Sequence, residues 1–204
     1  MTDHDPTSPA AVGPDSSADP WGGPTIMQTE RLVLRPFRRD DVALYAAISA
    51  DPEVMRYLGG PRDPAYTEEQ MADSNGTLRR TGAGMVAVER RDDGAFIGAV
   101  GLSVVPWFPD DLQLGWRLVP QHWGHGYATE AARAWLAHGF EVLGWDRLTA
   151  MADVPNLRSL AVMERLGMRR LHEVDLTEDG ERFRVAVYGL TAGAWQLQEA
   201  TGRR

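Results

Sequence analysis

The stretch Leu118-Val-Pro-Gln-His-Trp-Gly-His-Gly-Tyr-Ala-Thr-Glu130 constrains the fold more than any other part of the chain. Upstream of it, Leu112, Leu114, Trp116 and Leu118 alternate with Gln113, Gly115 and Arg117, which predicts a strand ending near Val119. Downstream, Ala131, Ala132, Trp135, Leu136, Phe140 and Leu143 recur at helical spacing and predict a helix over 127–143. Gly124 and Gly126 lie between the two. Glycines at a helix start let the backbone approach a ligand closely. The unpaired N–H groups of the first turn and the positive end of the helix dipole then favour an anion. A pyrophosphate suits such a turn and requires no lysine. The competing reading is a tight turn that binds nothing.

Two rival phosphate motifs fail on single residues. A nucleoside triphosphate loop needs Gly-Lys-Ser/Thr, but Tyr127 follows Gly126. A dinucleotide fingerprint needs a third Gly or Ala where Thr129 stands, and Asp146 falls in a turn rather than at a strand end. Composition narrows the chemistry further. Cysteine is absent, which excludes disulfides, thiolate metal sites and a thiol nucleophile. All 21 basic residues are arginine, so no Schiff-base lysine exists either. The net charge of −8 argues against a dedicated nucleic-acid binder, which carries a basic face. Four of the negative charges, Asp3, Asp5, Asp15 and Asp19, fall near the N-terminus, leaving a mildly acidic domain. No apolar run approaches the ~20 residues of a membrane span, and the expected location is the cytoplasm.

Residues 1–24 are rich in Pro, Asp, Ser, Ala and Gly and are expected to be disordered. The folded domain is expected over 25–198, with a short tail at 199–204. A first strand at Leu32–Leu34 stops at Pro36, and Asp40 or Asp41 caps a helix through Ile48. Asp51-Pro52 opens another helical turn, closed by Gly59-Gly60-Pro61, and a polar helix follows over 67–80. Met85–Val88 and Phe96–Val105 flank the turn Asp92-Asp93-Gly94 and form a hairpin. After the strand at 112–118 and its helix come a strand at Leu148–Met151, a helix at Asn156–Leu166 and two closing strands around Val174 and Val185. This order predicts a mixed α/β sheet with helices on both faces.

Gln121-x-x-Gly124-x-Gly126 resembles the Q/R-x-x-G-x-G/A signature of the GNAT superfamily of N-acetyltransferases. Trp123-Gly-His-Gly-Tyr-Ala-Thr-Glu-Ala131 is similar to the helix start of its RimJ/RimL-like branch, which acetylates protein N-termini. Asn156-Leu-Arg-Ser159 with Met163-Glu-Arg-Leu-Gly-Met168, Arg31-Leu-Val-Leu-Arg-Pro36 and Gly94-x-x-Ile97-Gly98 resemble further segments of that branch. The likeness runs from about Thr29 to about Ala192. It implies a mostly antiparallel central sheet, acetyl-CoA as co-substrate, a primary amine acceptor (a protein N-terminus or a small molecule), and a monomer or homodimer. It further implies that the strand ending at Val119 splays from its neighbour and that Leu118 and Val119 pair with the pantetheine arm. The Leu118 amide would face the thioester carbonyl. Gln121, Trp123, Gly124, His125, Gly126, Tyr127, Ala128 and Thr129 would surround the pyrophosphate. Asn156 would bind the pantetheine, and Ser159 would serve as general acid toward the leaving thiolate. A plain helix N-cap is the competing role for Asn156.

The chain departs from this pattern at two places. Gln113 stands where many relatives carry Glu, and an amide is no base; Met163 stands where distant members have a Tyr acid. Asp175 and Glu178 are therefore the candidate bases by analogy, with His172 behind them. His122 and His125 lack a third ligand, so no metal is expected. His125 is expected to contact the cofactor, and His138 to lie on a helix surface. Trp107 and Phe108 either line an acceptor pocket or pack on a strand. The implied reaction is direct transfer in a ternary complex; a non-catalytic acyl-CoA-binding module is the alternative.

Overall fold

The fold was taken from a computed structural model, which describes residues 19–178 and 180–202. Most of the expected N-terminal tail lies outside these residues, as does Asp179. The part of it that is described is docked. Gly22 N–H donates to Phe37 O at 2.7 Å, Asn75 Nδ2 donates to Pro20 O at 2.8 Å, and Arg39 lies over the Trp21 ring.

A short strand β1 (Met27–Gln28) precedes β2 (Leu32–Arg35), α1 (Asp41–Ala50), α2 (Pro52–Met55) and α3 (Pro64–Thr81). Strands β3 (Met85–Arg90), β4 (Phe96–Val105) and β5 (Phe108–Leu118) form a meander. Then come α4 (Tyr127–Ala137), β6 (Arg147–Asp153), α5 (Leu157–Arg165), β7 (Arg169–Glu178), β8 (Glu181–Thr191) and α6 (Ala192–Ala200). The sheet runs β1-β2-β3-β4-β5-β6-β8-β7, and β5 with β6 is its parallel contact. The mixed, mostly antiparallel sheet read from the sequence is thus the one found. Two elements were not foreseen. β1 is only two residues long and below any periodicity, and α6 carries the chain past the expected domain end at 198.

The caps explain where several helices begin. Asp51 accepts from Glu53 N–H at 2.8 Å and Asp63 from Tyr66 N–H at 2.9 Å, while Pro52 and Pro64 supply ready-made helical φ. α3 ends where Gly82 turns left-handed at φ +74°. The expected cap on α1 is corrected. Asp40 makes no side-chain cap, and Asp41 turns inward. The helix expected over 127–143 stays α-helical only to Ala137 and then widens into a π-turn over His138–Val142.

Alternation splits the sheet's side chains between two layers. One face carries Leu34, Val88, Val100, Leu114, Leu118, Ala150 and Tyr188 against Trp135 and Leu136 of α4 and Met163 of α5. The other carries Ala87 and Ala99 against Tyr45 and Ile48 of α1 and Met71 of α3. Arg35 is buried on that second face, where its guanidinium meets Asp41 at 2.6 and 3.0 Å and Glu89 at 2.8 Å. Burial opposes its charge, but these hydrogen bonds prevail and hold its pKa above the ordinary value. Asp41 also accepts from Arg38 N–H at 2.6 Å, so it ties β2, the following turn and α1 into one unit. Asp41→Ala strands a buried guanidinium with one partner. It is expected to cost about 3 kcal/mol, read as a lower denaturant midpoint at unchanged m-value.

Candidate active site

The site begins where β5 and β6 part. Gln113 with Thr149 is the registered pair between them, supported by Thr149 Oγ1 donating to Leu112 O at 3.2 Å. Beyond it no further pair forms among the described residues. Val119 N–H donates to Ile97 O at 3.0 Å, which places the odd positions of β5 in hydrogen-bonded register with β4. The backbone groups of Trp116 and Leu118 therefore point away from β4 into the gap. This is where the Leu118 amide was expected. Val119 is a correction: its N–H is taken by Ile97, and its carbonyl accepts from His122 N–H at 2.9 Å, so neither reaches a ligand. Trp116 holds the place that the sequence reading gave to Val119. The parity of antiparallel bonding would have found it.

The turn after β5 presents its donors as the glycine spacing predicts. Pro120–His122 form one 3₁₀ turn, with Gln121 exposed on it. Gly124 and Gly126 follow at φ +79° and +81°, and Gly126 is the N-cap of α4 without a side-chain cap. Glu130 N–H, bonded to Gly126 O at 3.0 Å, closes the first helical turn. The amides of Tyr127, Ala128 and Thr129 precede it and have no intrahelical acceptor. A Cβ built on Gly124 would meet nothing within 4 Å, so the open side of the turn is free for a ligand.

Trp123 does not face that opening. Its Nε1 donates to Leu118 O at 2.8 Å and Arg158 lies over its ring, so it fastens the turn to the end of β5. His125 stacks on Tyr127 with centroids 5.7 Å apart, and His122 meets the same ring edge-on. Burial, then Arg90 and His125, hold the His122 pKa below its ordinary value. Among the described residues no three metal-ligating side chains gather.

The sequence reading missed what holds the turn. Glu130 accepts from Thr29 Oγ1 at 2.6 Å, from Arg31 N–H at 2.9 Å and from Arg31 Nε at 2.7 Å. Arg31 Nη1 in turn donates to His125 O at 3.0 Å, and its guanidinium lies over the Tyr127 ring. Burial alone would raise the Glu130 carboxyl; the Thr29 and Arg31 hydrogen bonds outweigh it and hold the pKa below its ordinary value. Both residues stand in quoted motifs, but nothing in their spacing shows that they meet.

At α5, Asn156 Oδ1 accepts from Ser159 N–H at 3.3 Å, which is the helix-cap role. Ser159 Oγ accepts from Trp116 Nε1 at 3.3 Å across the gap, leaving the hydroxyl proton free to be donated. Met163 is fully buried. Asp175 is bound by Arg184 through two bonds of 2.7 and 2.8 Å, which hold its pKa down and suit it poorly as a base. Glu178 sits over the α2–α3 turn, where a Cβ at Gly59 would be 3.2 Å from its Oε2. His172 is exposed at the β7 register shift, His138 packs edge-on against Trp135, Phe108 pairs with Val105, and Trp107 meets Phe183 edge-on at 5.8 Å.

A second missed residue is Asp153, at the end of β6. Leu148 and Ala150 point to the α4 side, so by alternation Thr149, Met151 and Asp153 point to the α1 side. Asp153 is half-buried, and burial raises its pKa above the ordinary carboxylate value. The carboxylate forms no ion pair among the described residues. Nearby, a groove of 410 Å³ lined by Ile48, Asp51, Phe96, Val119 and Gln121 opens on the same face. A larger cavity of 580 Å³ around Leu102, Asp110 and Trp145 touches none of these residues.

A family model described as the acetyltransferase (GNAT) domain matches residues 31–169. The chain belongs to this family, whose members transfer an acetyl group from acetyl-CoA to an amine. It is 32% identical to YkkB of Bacillus subtilis over 148 residues, which is 71% of this chain and 85% of that one. The crystal structure of an acetyltransferase from Agrobacterium tumefaciens is 33% identical, with a TM-score of 0.70 over 82% of this chain and 94% of that one. Spermidine N-acetyltransferase from Vibrio cholerae, solved with CoA and spermine, shares the fold at 17% identity and TM-score 0.68, covering 82% and 99%.

Because the folded state holds Glu130 below its ordinary value of 4.5, its contribution is complete above that pH and drains away as pH falls through the lowered value. Glu130→Gln should weaken CoA binding about tenfold at neutral pH, a loss of one charge-assisted bond's worth of order in the turn, and should flatten the acid limb of the melting-temperature profile. Gly126→Asp should abolish CoA binding by calorimetry while the circular dichroism spectrum stays unchanged.

Proposed function

We propose that the protein transfers the acetyl group of acetyl-CoA directly to a primary amine within a ternary complex, as a member of the RimJ/RimL-like branch. The observation that carries this is the gap between β5 and β6, with unpaired strand backbone at Trp116 and at the Leu118 N–H and the N–H cradle of α4 at its mouth. An extended arm with amide groups fits the strand edge, and a pyrophosphate fits the turn. The branch assignment is supported by Gly124-His-Gly-Tyr-Ala-Thr-Glu130 and by Asn156-x-x-Ser159.

In this reading, Leu118 N–H donates to the thioester carbonyl oxygen and stabilises the charge that develops there. The acceptor approaches from the α1 side, where Asp153 takes the proton that its ammonium must shed before nitrogen can attack. The N–C bond forms and the C–S bond breaks. Ser159 gives its proton to the departing sulfur and is restored, through water, by the second proton that the nitrogen sheds after attack, while Asp153 releases the ammonium's first proton to solvent. The turnover thus exchanges an N–H and a C–S bond for an N–C and an S–H bond. Gln113 takes no part in proton transfer. Its amide cannot ionise, and the carboxylate that position 113 lacks is supplied by β6. Glu178, beside the α2–α3 turn, stands at the rim of this face and attracts a cationic acceptor rather than deprotonating it.

Acetyl-CoA consumption with a panel of peptides and small amines tests the reaction. Tight CoA binding without turnover on any amine would favour a non-catalytic acyl-CoA-binding module. Asp153→Asn should lower kcat about 10²- to 10³-fold and remove one limb of the pH–rate profile, with CoA affinity unchanged. A variant with wild-type kcat and an intact limb would move the proton acceptor elsewhere.

A further inference from the structure

Two polar groups on the α1 side of β5 are buried without partners. Gln113 is 4% exposed, and neither its Oε1 nor its Nε2 has a hydrogen-bond partner. Arg117 Nε is likewise shielded and unpartnered. Between them Gly115 leaves open space, since a Cβ there would meet nothing within 4 Å. The three share one face by alternation.

Arg117 is held as a receptor would be. Its Nη1 donates to Ser49 Oγ at 3.1 Å, and its guanidinium lies 5.5 Å from the Tyr45 ring centroid, so α1 fixes its plane. Both of these neighbours are uncharged: burial raises the Tyr45 pKa and keeps the phenol neutral. No carboxylate comes within ion-pair distance of Arg117 among the described residues. The buried Arg35, in contrast, has Asp41 and Glu89. A half-buried guanidinium without a counter-ion is costly, and the cost is recovered when an anion arrives. The side left free is the Nε–Nη2 edge. Arg184 uses that same edge to grip Asp175 with bonds of 2.7 and 2.8 Å. It is the geometry that matches a carboxylate in a fork-to-fork pair.

The position of Arg117 sets how far that carboxylate can be from the reacting nitrogen. Arg117 precedes Leu118 directly. Counting from the registered pair Gln113–Thr149, it is also level with Asp153 across the gap. The side chains of Arg117 and Asp153 thus project to the same face from the two strands on either side of the gap, and no ion pair joins them. A molecule with an ammonium and a carboxylate a few bonds apart fits between them. Of the acidic groups near the cleft, Asp51 is occupied in capping α2, Glu53 stands 3.5 Å from Arg158 and Asp175 is locked to Arg184, which leaves Glu178 and Asp153 to meet a single ammonium rather than a row of acids to meet a polycation.

We propose that the amine acceptor carries a carboxylate near its amino group, as an amino acid does, and that Arg117 binds this carboxylate. The proposal rests on the acetyl-transfer reading and names its substrate class.

The test uses the full chain with acetyl-CoA and matched acceptors: α- and ω-amino acids, each against its carboxamide, with spermidine as a polycation. The carboxylate member of each pair is expected to be favoured roughly tenfold or more in kcat/KM, mainly through KM, as befits one charge-assisted bidentate contact. Arg117→Met should erase the preference and Arg117→Lys should keep part of it, with CoA affinity of both variants at the wild-type value to show that the fold survives. Equal rates on carboxylate and carboxamide by the wild-type enzyme, or a preference for spermidine, would overturn the carboxylate assignment and leave acetyl transfer standing. No turnover with any amine would instead overturn acetyl transfer itself.

Discussion

The site depends on one break in backbone pairing. A sheet interior normally leaves no N–H or C=O without a partner, because an unpaired buried group costs about as much as a lost hydrogen bond. Here β5 and β6 pair at Gln113 and Thr149 and then diverge, which leaves the gap-facing groups of Trp116 and the Leu118 N–H open in the middle of the sheet, while the Trp123 indole takes the Leu118 carbonyl. The divergence is held by what packs above and below it. On one face the Trp116 indole reaches Ser159 at the start of α5, and Trp135 of α4 donates to Val100 O. On the other, Arg117 reaches Ser49 of α1. These contacts tie β5 to the helices of both layers, so β5 cannot shift toward β6 without breaking them.

The phosphate end is preorganised in a different way. Gly124 and Gly126 adopt left-handed φ, which gives the turn its shape but no rigidity. Rigidity comes from Glu130, which draws in Thr29 and Arg31, and from Arg31, which reaches the carbonyl of His125. The carboxylate thus neutralises most of the arginine and positions the rest. The anion is left to the helix amides and dipole, which suits a chain with no lysine to offer.

Much of this was legible in the sequence. The turn, the two layers and the strand that carries the site follow from apolar periodicity and glycine spacing, which are local signals. The Leu118 amide faces the gap because of strand parity, and parity is also local. The errors have two physical origins. The resemblance implies Val119 beside Leu118 as a ligand contact, yet consecutive strand residues aim their backbone groups to opposite sides, a local rule; the others arise from contacts between distant elements. Asp175 was named as a base from the family pattern, but its partner Arg184 lies across a hairpin whose register no composition reveals. Asp153 and the Arg31–Glu130 clamp were missed because their meaning comes from elements distant in the chain. Asp41 was read as a cap because its neighbours in sequence suggest one. Its actual partner, Arg35, lies six residues back on β2 and is reached only because the chain turns inward after Pro36.

The same parity shows how one strand serves two substrates. Even positions of β5 send their backbone to the gap proposed for the acetyl donor's arm and their side chains, Leu114, Trp116 and Leu118, to the α4–α5 layer. Odd positions send Gln113, Gly115 and Arg117 to the α1 layer, the side proposed for the acceptor. A period of two therefore sorts donor from acceptor without any loop to separate them. It also accounts for the tolerance of Gln at position 113. The role of a base requires only a carboxylate on the acceptor face beside the gap, and β6 reaches that face at its own alternate positions. In the proposed reaction Asp153 satisfies the requirement from the other side of the opening, so the absence of an acid at position 113 relocates the proton acceptor without removing it.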